Sequence, residues 1–388
     1  MKIKDITAHW LHCPIPFEQQ HVSDFGRMAS FDCVLVTVTT ESGLQGFGEA
    51  KAAVGSAGSC AALVSAVKSE LAPLLVGRDA RNISALWEVM YNGTREGYAR
   101  TRGRAFPVLG RRGLLISAIS GIDMALWDLL GKRLNVPVMQ LLGGAHTEKL
   151  QCYASGGWAD VNGIGAQVQG YVAQGFKGVK MRVGVMDGDV RASVSRVHAA
   201  REALGPDIKL MADAHGTFSV PEAKQFCAGI EDANLYWFEE PCNSDNAVGT
   251  AEVRAMTRTP IACGESEFTR FDFRELILAR ACDVLQPDMA ICGGISEGIK
   301  IAALAATHQL ELAPHCWGSA LSFSAGVQLA FASSSAVLIE YSLGANPMLR
   351  EMAEESFEIV DGMISAPTKP GLGVTPRQAF IQKYRKEV

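Results

Sequence analysis

Apolar residues alternate with polar ones, or run in β-branched stretches, over residues 2 to 12 and 32 to 40, the second of which reads DCVLVTVTT. The segment ESGLQ between that stretch and GFGEA reads as a turn, so the chain is expected to begin with an antiparallel meander. Near Ser59 the period changes. Apolar positions three and four apart over Ala61 to Leu75 and Ala85 to Tyr91 predict helices, and Leu114 to Leu134, containing SAISGIDMALWDLLGKRL, predicts a longer apolar one. These elements make an α+β unit over residues 1–134.

From Gln151 the rhythm becomes regular. Candidate strands end near Ser155, Arg182, Asp213, Glu239, Glu265, Asp288, His315 and Tyr341, in steps of 27, 31, 26, 26, 23, 27 and 26 residues, about what one βα unit needs. Helical stretches such as Asp189 to Leu204, Val220 to Ala228, Phe271 to Ala279 and Ile295 to His308 fill the intervals, and GGIS before the last offers a Gly turn and a Ser cap. Eight evenly spaced strands with a polar residue at nearly every end favour a closed parallel barrel, over residues 135–360, against a doubly wound sheet. The tail, residues 361–388 with its PGLGVTP turns, is expected to return to the N-terminal unit.

Composition narrows the function. The chain has 388 residues, 48% hydrophobic and 20% charged, with a net charge of -5. That balance gives no basic footprint, which excludes nucleic acid and anionic membrane as expected partners and requires a charged substrate to find its cation locally. Ten cysteines are scattered without CxxC pairs, several inside apolar strands, and read as reduced buried hydrophobes. The N-terminus MKIKDITAHWLHCPIPF has no apolar core of signal-peptide length, so a cytoplasmic location is expected.

Asp213, Glu239 and Glu265 stand 26 and again 26 residues apart, each closing a short apolar run: KLMAD, YWFE and IACGE. A lone acid at a strand end is usually a helix cap or a surface charge. Three in register, at strand ends that converge on one face of a barrel, point to a metal site. Hard oxygen ligands without Cys or His at matching spacing favour Mg²⁺ over zinc. Other strand ends carry Lys180 and Arg182, His215, Asp288, His315 and Glu340. His315, one strand round from Asp288, has the arrangement of a general base whose imidazole a carboxylate orients.

These residues resemble the enolase superfamily, mandelate racemase subgroup. Its pattern is K-x-K on the second barrel strand, three carboxylates on the third to fifth, an Asp on the sixth and a His on the seventh. Here those positions are Lys180-Met181-Arg182, then Asp213, Glu239, Glu265, Asp288 and His315, with FEEP at 238 to 241 and GISE at 294 to 297. The resemblance covers essentially the whole chain. It implies a (β/α)₇β modified TIM barrel with an α+β capping domain built from the N-terminal segment and the C-terminal tail, a small carboxylate substrate and a homo-oligomer. Loops around Pro14 to Met28 and Lys51 to Cys60 would close the site, with Gln19, Gln20, His21, Asp24 and Arg27 offering hydrogen-bonding groups for specificity.

The implied chemistry is removal of a proton alpha to a carboxylate. Such a proton is too weakly acidic for a side-chain base unless the dianionic enediolate is stabilised, the part of a divalent metal aided by Lys180. Arg182 departs from the pattern. A guanidinium with a pKa of roughly 12 or more is a poor base, so Arg182 is expected to bind an anion or hydroxyl, leaving His315 to work from one face. The resemblance then favours dehydration of an aldonate or aldarate to a 2-keto-3-deoxy acid. His215, or His315 itself in a second step, would be the acid that helps the beta hydroxyl leave, and Glu340 would hydrogen-bond the substrate carboxylate. A racemase or epimerase, or a sugar-lactone cycloisomerase, uses the same enediolate. A non-catalytic carboxylate-binding protein is the reading from another class.

Overall fold

The β-branched N-terminal stretches form three antiparallel strands, β1 (Ile3–Pro14), β2 (Ser30–Thr40) and β3 (Gln45–Ala50), in a computed structural model that describes residues 1–52, 58–93, 97–98, 101–103 and 110–388. The apolar run of β2 is continuous because both faces are covered. Val34, Val36 and Val38 pack on the helices of the cap, while Cys33 and Leu35 join the cluster shared with the barrel. Behind the sheet lie α1 (Ile83–Asn92), α2 (Leu114–Leu134) and a helical run over Ala61–Ser65, Ala66–Leu71 and Ala72–Leu75 whose middle part is π-helical. At the C-terminus Arg385–Lys386 pairs with β1 at Trp10 and Leu11, and Leu372 N–H donates to Asp128 at 2.8 Å.

Helix α2 has the length and apolarity of a membrane span, yet it is an internal element of this fold. It approaches β3 so closely that a Cβ on Gly48 would collide with the Gly121 carbonyl, and one on Gly121 would stand 2.8 Å from Val36 Cγ2. Glycine is needed here for backbone contact. The close dock carries the end of β3 and Lys51 just beyond it onto the barrel mouth.

Eight parallel strands among the described residues form the barrel: β4 (Lys149–Gly156), β5 (Gly178–Arg182), β6 (Lys209–Asp213), β7 (Trp237–Glu239), β8 (Ile261–Cys263), β9 (Val284–Leu285), β10 (Glu311–Leu312) and β11 (Ile339–Ser342). They pair in sequence order, β11 returns to β4, and Leu312 bridges to Ala336 to close the ring. Helices α3 (Ile164–Ala173), α4 (Val190–Leu204), α5 (Val220–Gly229), α6 (Ala247–Met256), α7 (Thr269–Ala279), α8 (Ile295–Thr307) and α9 (Ala320–Phe331) follow the first seven strands. The structure is therefore the expected α/β barrel with a capping domain. A hairpin strand, Met363–Ser365, stays antiparallel to β4 before the tail turns toward the cap.

Period-two alternation builds the site. Tyr153, Met211, Trp237, Val284 and Leu338 fill the barrel interior, and the residues two further along each strand, Ser155, Asp213, Glu239, Gln286 and Glu340, point into its mouth. The last strands are shorter than the apolar runs suggest. Gly264 at φ +138° ends β8, while Pro287 and Pro314 lack the N–H a ladder requires, so Glu265, Asp288 and His315 lie just beyond their strands. An isolated bridge still sets Asp288 beside His315.

Ser296 of the GGIS motif is not the cap of α8. Gly294 is the N-cap residue and makes no side-chain bond, whereas Ser296 Oγ donates to Asp123 of α2 at 2.6 Å and Ser296 N–H donates to the same carboxylate at 2.9 Å. The helix start is satisfied by a residue from the other domain.

Candidate metal and proton-transfer site

Asp213, Glu239 and Glu265 are buried, and one oxygen from each lies within 4.8 Å of the others. Strand register places Arg182, Asp213 and Glu239 in one row across β5, β6 and β7. Lys180, one inward position below, reaches Glu239, Asp213 Oδ2 at 3.2 Å and Glu340 Oε1 at 3.1 Å. Arg182 pairs with Asp213 and donates to Ser155 Oγ at 3.2 Å. Glu239 Oε2 also accepts from Trp237 Nε1 at 2.9 Å and Gln286 Nε2 at 2.7 Å.

Burial pushes all three carboxylates toward the neutral form, but their neighbours differ. For Asp213 the charges of His215, Arg182 and Lys180 outweigh burial and hold it below the usual range. Burial and then the Asp213 charge raise Glu239 to about 7, and burial with the Glu240 charge raises Glu265 well above its ordinary value. Glu239 and Glu265 thus stay raised even though Lys180 pairs with Glu239. The donor set is all oxygen, buried and electrostatically incomplete, which fits a hard divalent cation.

Across the mouth, His315 Nδ1 lies 2.6 Å from Asp288 Oδ2 and its Nε2 lies 3.3 Å from Glu265 Oε2. Burial lowers the His315 pKa in spite of Glu340 and Asp288. Asp288 is held low, because Lys51 and His315 outweigh its burial. Glu340 Oε2 accepts from Cys316 N–H at 2.8 Å; burial is outweighed by Lys180, His315 and Arg182, and it too is held low.

His215 follows Asp213 in a left-handed backbone conformation, φ 45°, with its N–H donating to Asp213 Oδ1 at 3.0 Å. Its Nδ1 meets Asp24 Oδ2 at 2.9 Å, and Asp24 Oδ1 accepts from Met186 N–H at 2.9 Å. One small pocket is lined by His215, His315, Arg182 and Glu265 below, with His21, Phe25, Trp158 and Trp317 around them. His21 stacks on Trp158 at 4.0 Å between centroids, and burial, then the Arg182 and His215 charges, lower its pKa to about 4.

The structure thus brings together all nine residues singled out in the sequence: Arg182, His215, Glu265 and His315 line the pocket, and Lys180, Asp213, Glu239, Asp288 and Glu340 are buried outside that lining. The loop residues divide. His21 lines the pocket and Asp24 orients His215, while Gln20 bonds the Ile15 carbonyl, Arg27 stacks over Phe17 and Gln19 is exposed. Of the second loop, residues 53–57 lie outside the described residues, and Lys51 at its root is buried against Asp288 rather than facing the pocket. Sequence reasoning misses Lys51 and Gln286. Gln286 does carry a signal, a polar residue at the inward position of an apolar strand; Lys51 carries none, since its partners are more than 200 residues away.

Residues 6–143 match the family described as mandelate racemase / muconate lactonizing enzyme, N-terminal domain, and residues 163–380 match enolase C-terminal domain-like. D-galactarolactone cycloisomerase of Agrobacterium fabrum is 32% identical over 401 residues, covering 99% of this chain and 99% of that protein. D-galactonate dehydratase of Ralstonia pickettii is 35% identical over 366 residues, covering 91% of each. Among solved structures, a racemase from Streptomyces coelicolor A3(2) with bound magnesium superposes with a TM-score of 0.85 at 30% identity, over 99% of this chain and 100% of that one. With both domains matched and the full length covered, the chain belongs to the mandelate racemase/muconate lactonizing enzyme family of the enolase superfamily.

Proposed function

We propose that this protein is a Mg²⁺-dependent dehydratase of an aldonate or aldarate, giving a 2-keto-3-deoxy acid. The observation that carries the reading is the pair of imidazoles on one pocket. His315 follows the seventh barrel strand and His215 the third, opposite positions in an eight-strand ring, and each has its Nδ1 on a carboxylate. With Nδ1 so engaged, Nε2 is the working atom on both rings in this reading.

Asp213, Glu239 and Glu265 would hold the cation. Bound there, Mg²⁺ supplies Lewis-acid stabilisation of the negative charge that builds on the substrate carboxylate. His315 Nε2 takes the alpha proton, and Asp288 on Nδ1 balances the imidazolium that results. Lys180 adds a fixed positive charge beneath the same oxygens. The electron pair of the broken C–H bond forms the C2–C3 double bond as the beta C–O bond breaks, and His215 gives its Nε2 proton to the leaving hydroxyl, which departs as water. The enol then takes a proton at C3 as its C2 hydroxyl gives one up, and becomes the ketone. Arg182 faces the pocket as a fixed cation and hydrogen-bond donor, not as a base on the second face.

A cycloisomerase is the second reading, favoured by the D-galactarolactone enzyme that aligns over 99% of both chains. It needs the same alpha deprotonation and no second base. Turnover of an acid-sugar panel in D₂O separates the possibilities. Dehydration yields a semicarbazide-reactive keto acid with deuterium stereospecifically at C3, and recovered substrate keeps its C2 configuration. Inverted, deuterated substrate with no keto acid would overturn the reading in favour of a racemase or epimerase, and a lactone isomer without keto acid would favour the cycloisomerase.

A further inference from the structure

Lys51 is the first residue beyond β3, and its side chain is fully buried at the seam between cap and barrel. Its Nζ donates to Asp288 Oδ2 at 2.6 Å and to the Trp317 carbonyl at 2.8 Å. Asp288 Oδ2 is also the atom that His315 Nδ1 meets at 2.6 Å, while Asp288 Oδ1 accepts from Ala290 N–H at 2.8 Å. One carboxylate oxygen is therefore shared between a lysine of the cap and the imidazole of the barrel. Nearby, Glu49 is itself fixed to the barrel, accepting from Ser319 Oγ at 2.5 Å and from Ser322 N–H at 3.1 Å.

A fully buried lysine is rare unless paired, and an apolar side chain of equal length would fill the same space without desolvating an ammonium. What the ammonium adds is charge on Asp288. Asp123 shows the alternative within the same molecule: equally buried, but bonded only by the neutral Ser296 donors, it is raised by burial to about 7. A protonated carboxyl on Asp288 would donate to Nδ1 instead of accepting from it. The ring hydrogen would then sit on Nε2, where a base needs its lone pair.

We propose that Lys51 is a positioning residue for the proton-abstracting base, holding Asp288 as an acceptor on His315 Nδ1 so that Nε2 faces the pocket with a free lone pair. The inference rests on the reading of His315 as the base. Since Lys51 belongs to the cap and Asp288 to the barrel, docking of the two domains completes the base. Lys51 also grips the Trp317 carbonyl, which holds one wall of the pocket with the same ammonium.

The test uses the full-length Mg²⁺-loaded protein and two readouts. The first is independent of substrate: ¹⁵N-histidine spectra, with His315→Asn assigning the His315 signals. In wild type His315 should be the Nδ1–H tautomer, and in Lys51→Met that population should shift toward Nε2–H. The second is turnover of the acid-sugar panel, where Lys51→Met should lower kcat about 100-fold, the scale of a disabled general base, with KM changed little. Where Lys51→Met melts below the assay temperature, Lys51→Ala with added ethylammonium decides. Ethylammonium should restore turnover saturably, and tetramethylammonium, which has no N–H, should not. A folded Lys51→Met with wild-type kcat and an unchanged His315 tautomer overturns the proposal, as does a folded Lys51→Ala that no primary ammonium rescues. Wild-type protein inactive on the whole panel would sink the dehydratase reading instead, and the tautomer comparison would still decide the role of Lys51.

Discussion

Across the barrel mouth, buried carboxylates of the same chemistry stand in opposite states, apart from Asp213, which His215, Arg182 and Lys180 hold low on the metal side. On the side of the third to fifth strands, Glu239 and Glu265 are pushed up, by burial first and by neighbouring acids second. On the side of the sixth to eighth strands, Asp288 and Glu340 are equally buried yet held low, because Lys51, His315 and Lys180 stand against them. The second half carries counter-charges enough for its acids, whereas in the first Glu239 and Glu265 stay raised in spite of Lys180, a set that fits a further divalent cation. Burial alone does not set the charge of a carboxylate; the balance of cations and acids around it does.

The largest test of that contrast is removal of the cation or a ligand. Chelation should abolish turnover and Mg²⁺ should restore it. Asp213→Asn, Glu239→Gln or Glu265→Gln should each lower kcat more than about 1000-fold, the loss expected when the main stabiliser of transition-state charge is gone. Calorimetric titration should show Mg²⁺ binding lost with it. Full activity in a chelated sample would break the comparison at its first term.

On the complete half, His315→Asn should lower kcat by roughly 100- to 10,000-fold, the usual worth of a general base, while substrate still binds. Asp288→Asn should lose less. Washing of the alpha proton into D₂O follows the base directly, so a His315→Asn enzyme that exchanges it at near wild-type rate would remove His315 from the role.

The smallest effect sharpens the role of the fixed cation. Asp123 has only neutral hydrogen-bond donors and is raised from 3.8 to about 7. A pKa raised on folding means the folded state keeps a proton that the unfolded chain gives up. The associated stability is fully present below the unfolded value near 3.8 and is lost as pH rises through about 7, an order of ~4 kcal/mol for a shift of this size. Asp123→Asn should remove that dependence, so wild type should gain stability relative to the variant between about pH 8 and about pH 5. Parallel denaturation curves for the two proteins across that range would show that Asp123 is ionised in the fold, and that neutral donors suffice.

Much of this site is legible in the amino-acid order alone. The spacing of Asp213, Glu239 and Glu265 is a property of the βα repeat, and the polar residue two positions after Met211, Trp237 or Leu338 has to enter the mouth because strand side chains alternate. Helix α2 has the bounds its sequence predicts because nothing interrupts its apolar pattern and Asn135, in the left-handed conformation, ends it. Ser296 misleads for the converse reason. A Ser beside glycines looks like a cap, but its hydroxyl is taken by Asp123 from a helix 173 residues earlier.

Periodicity and chain order are enough to define the barrel, an N-terminal α+β unit and the polar residues at the strand ends, since both are local properties and the parallel fold turns them into a ring, while the capping role of that unit comes from the family resemblance. Which charges meet is settled by docking. Lys51 on Asp288, Asp24 on His215 and Glu49 on the Ser319 loop each join the cap to a barrel residue far along the chain. No periodicity encodes such pairs, because the partner that holds a buried charge in place is chosen by how two separately folded surfaces come together.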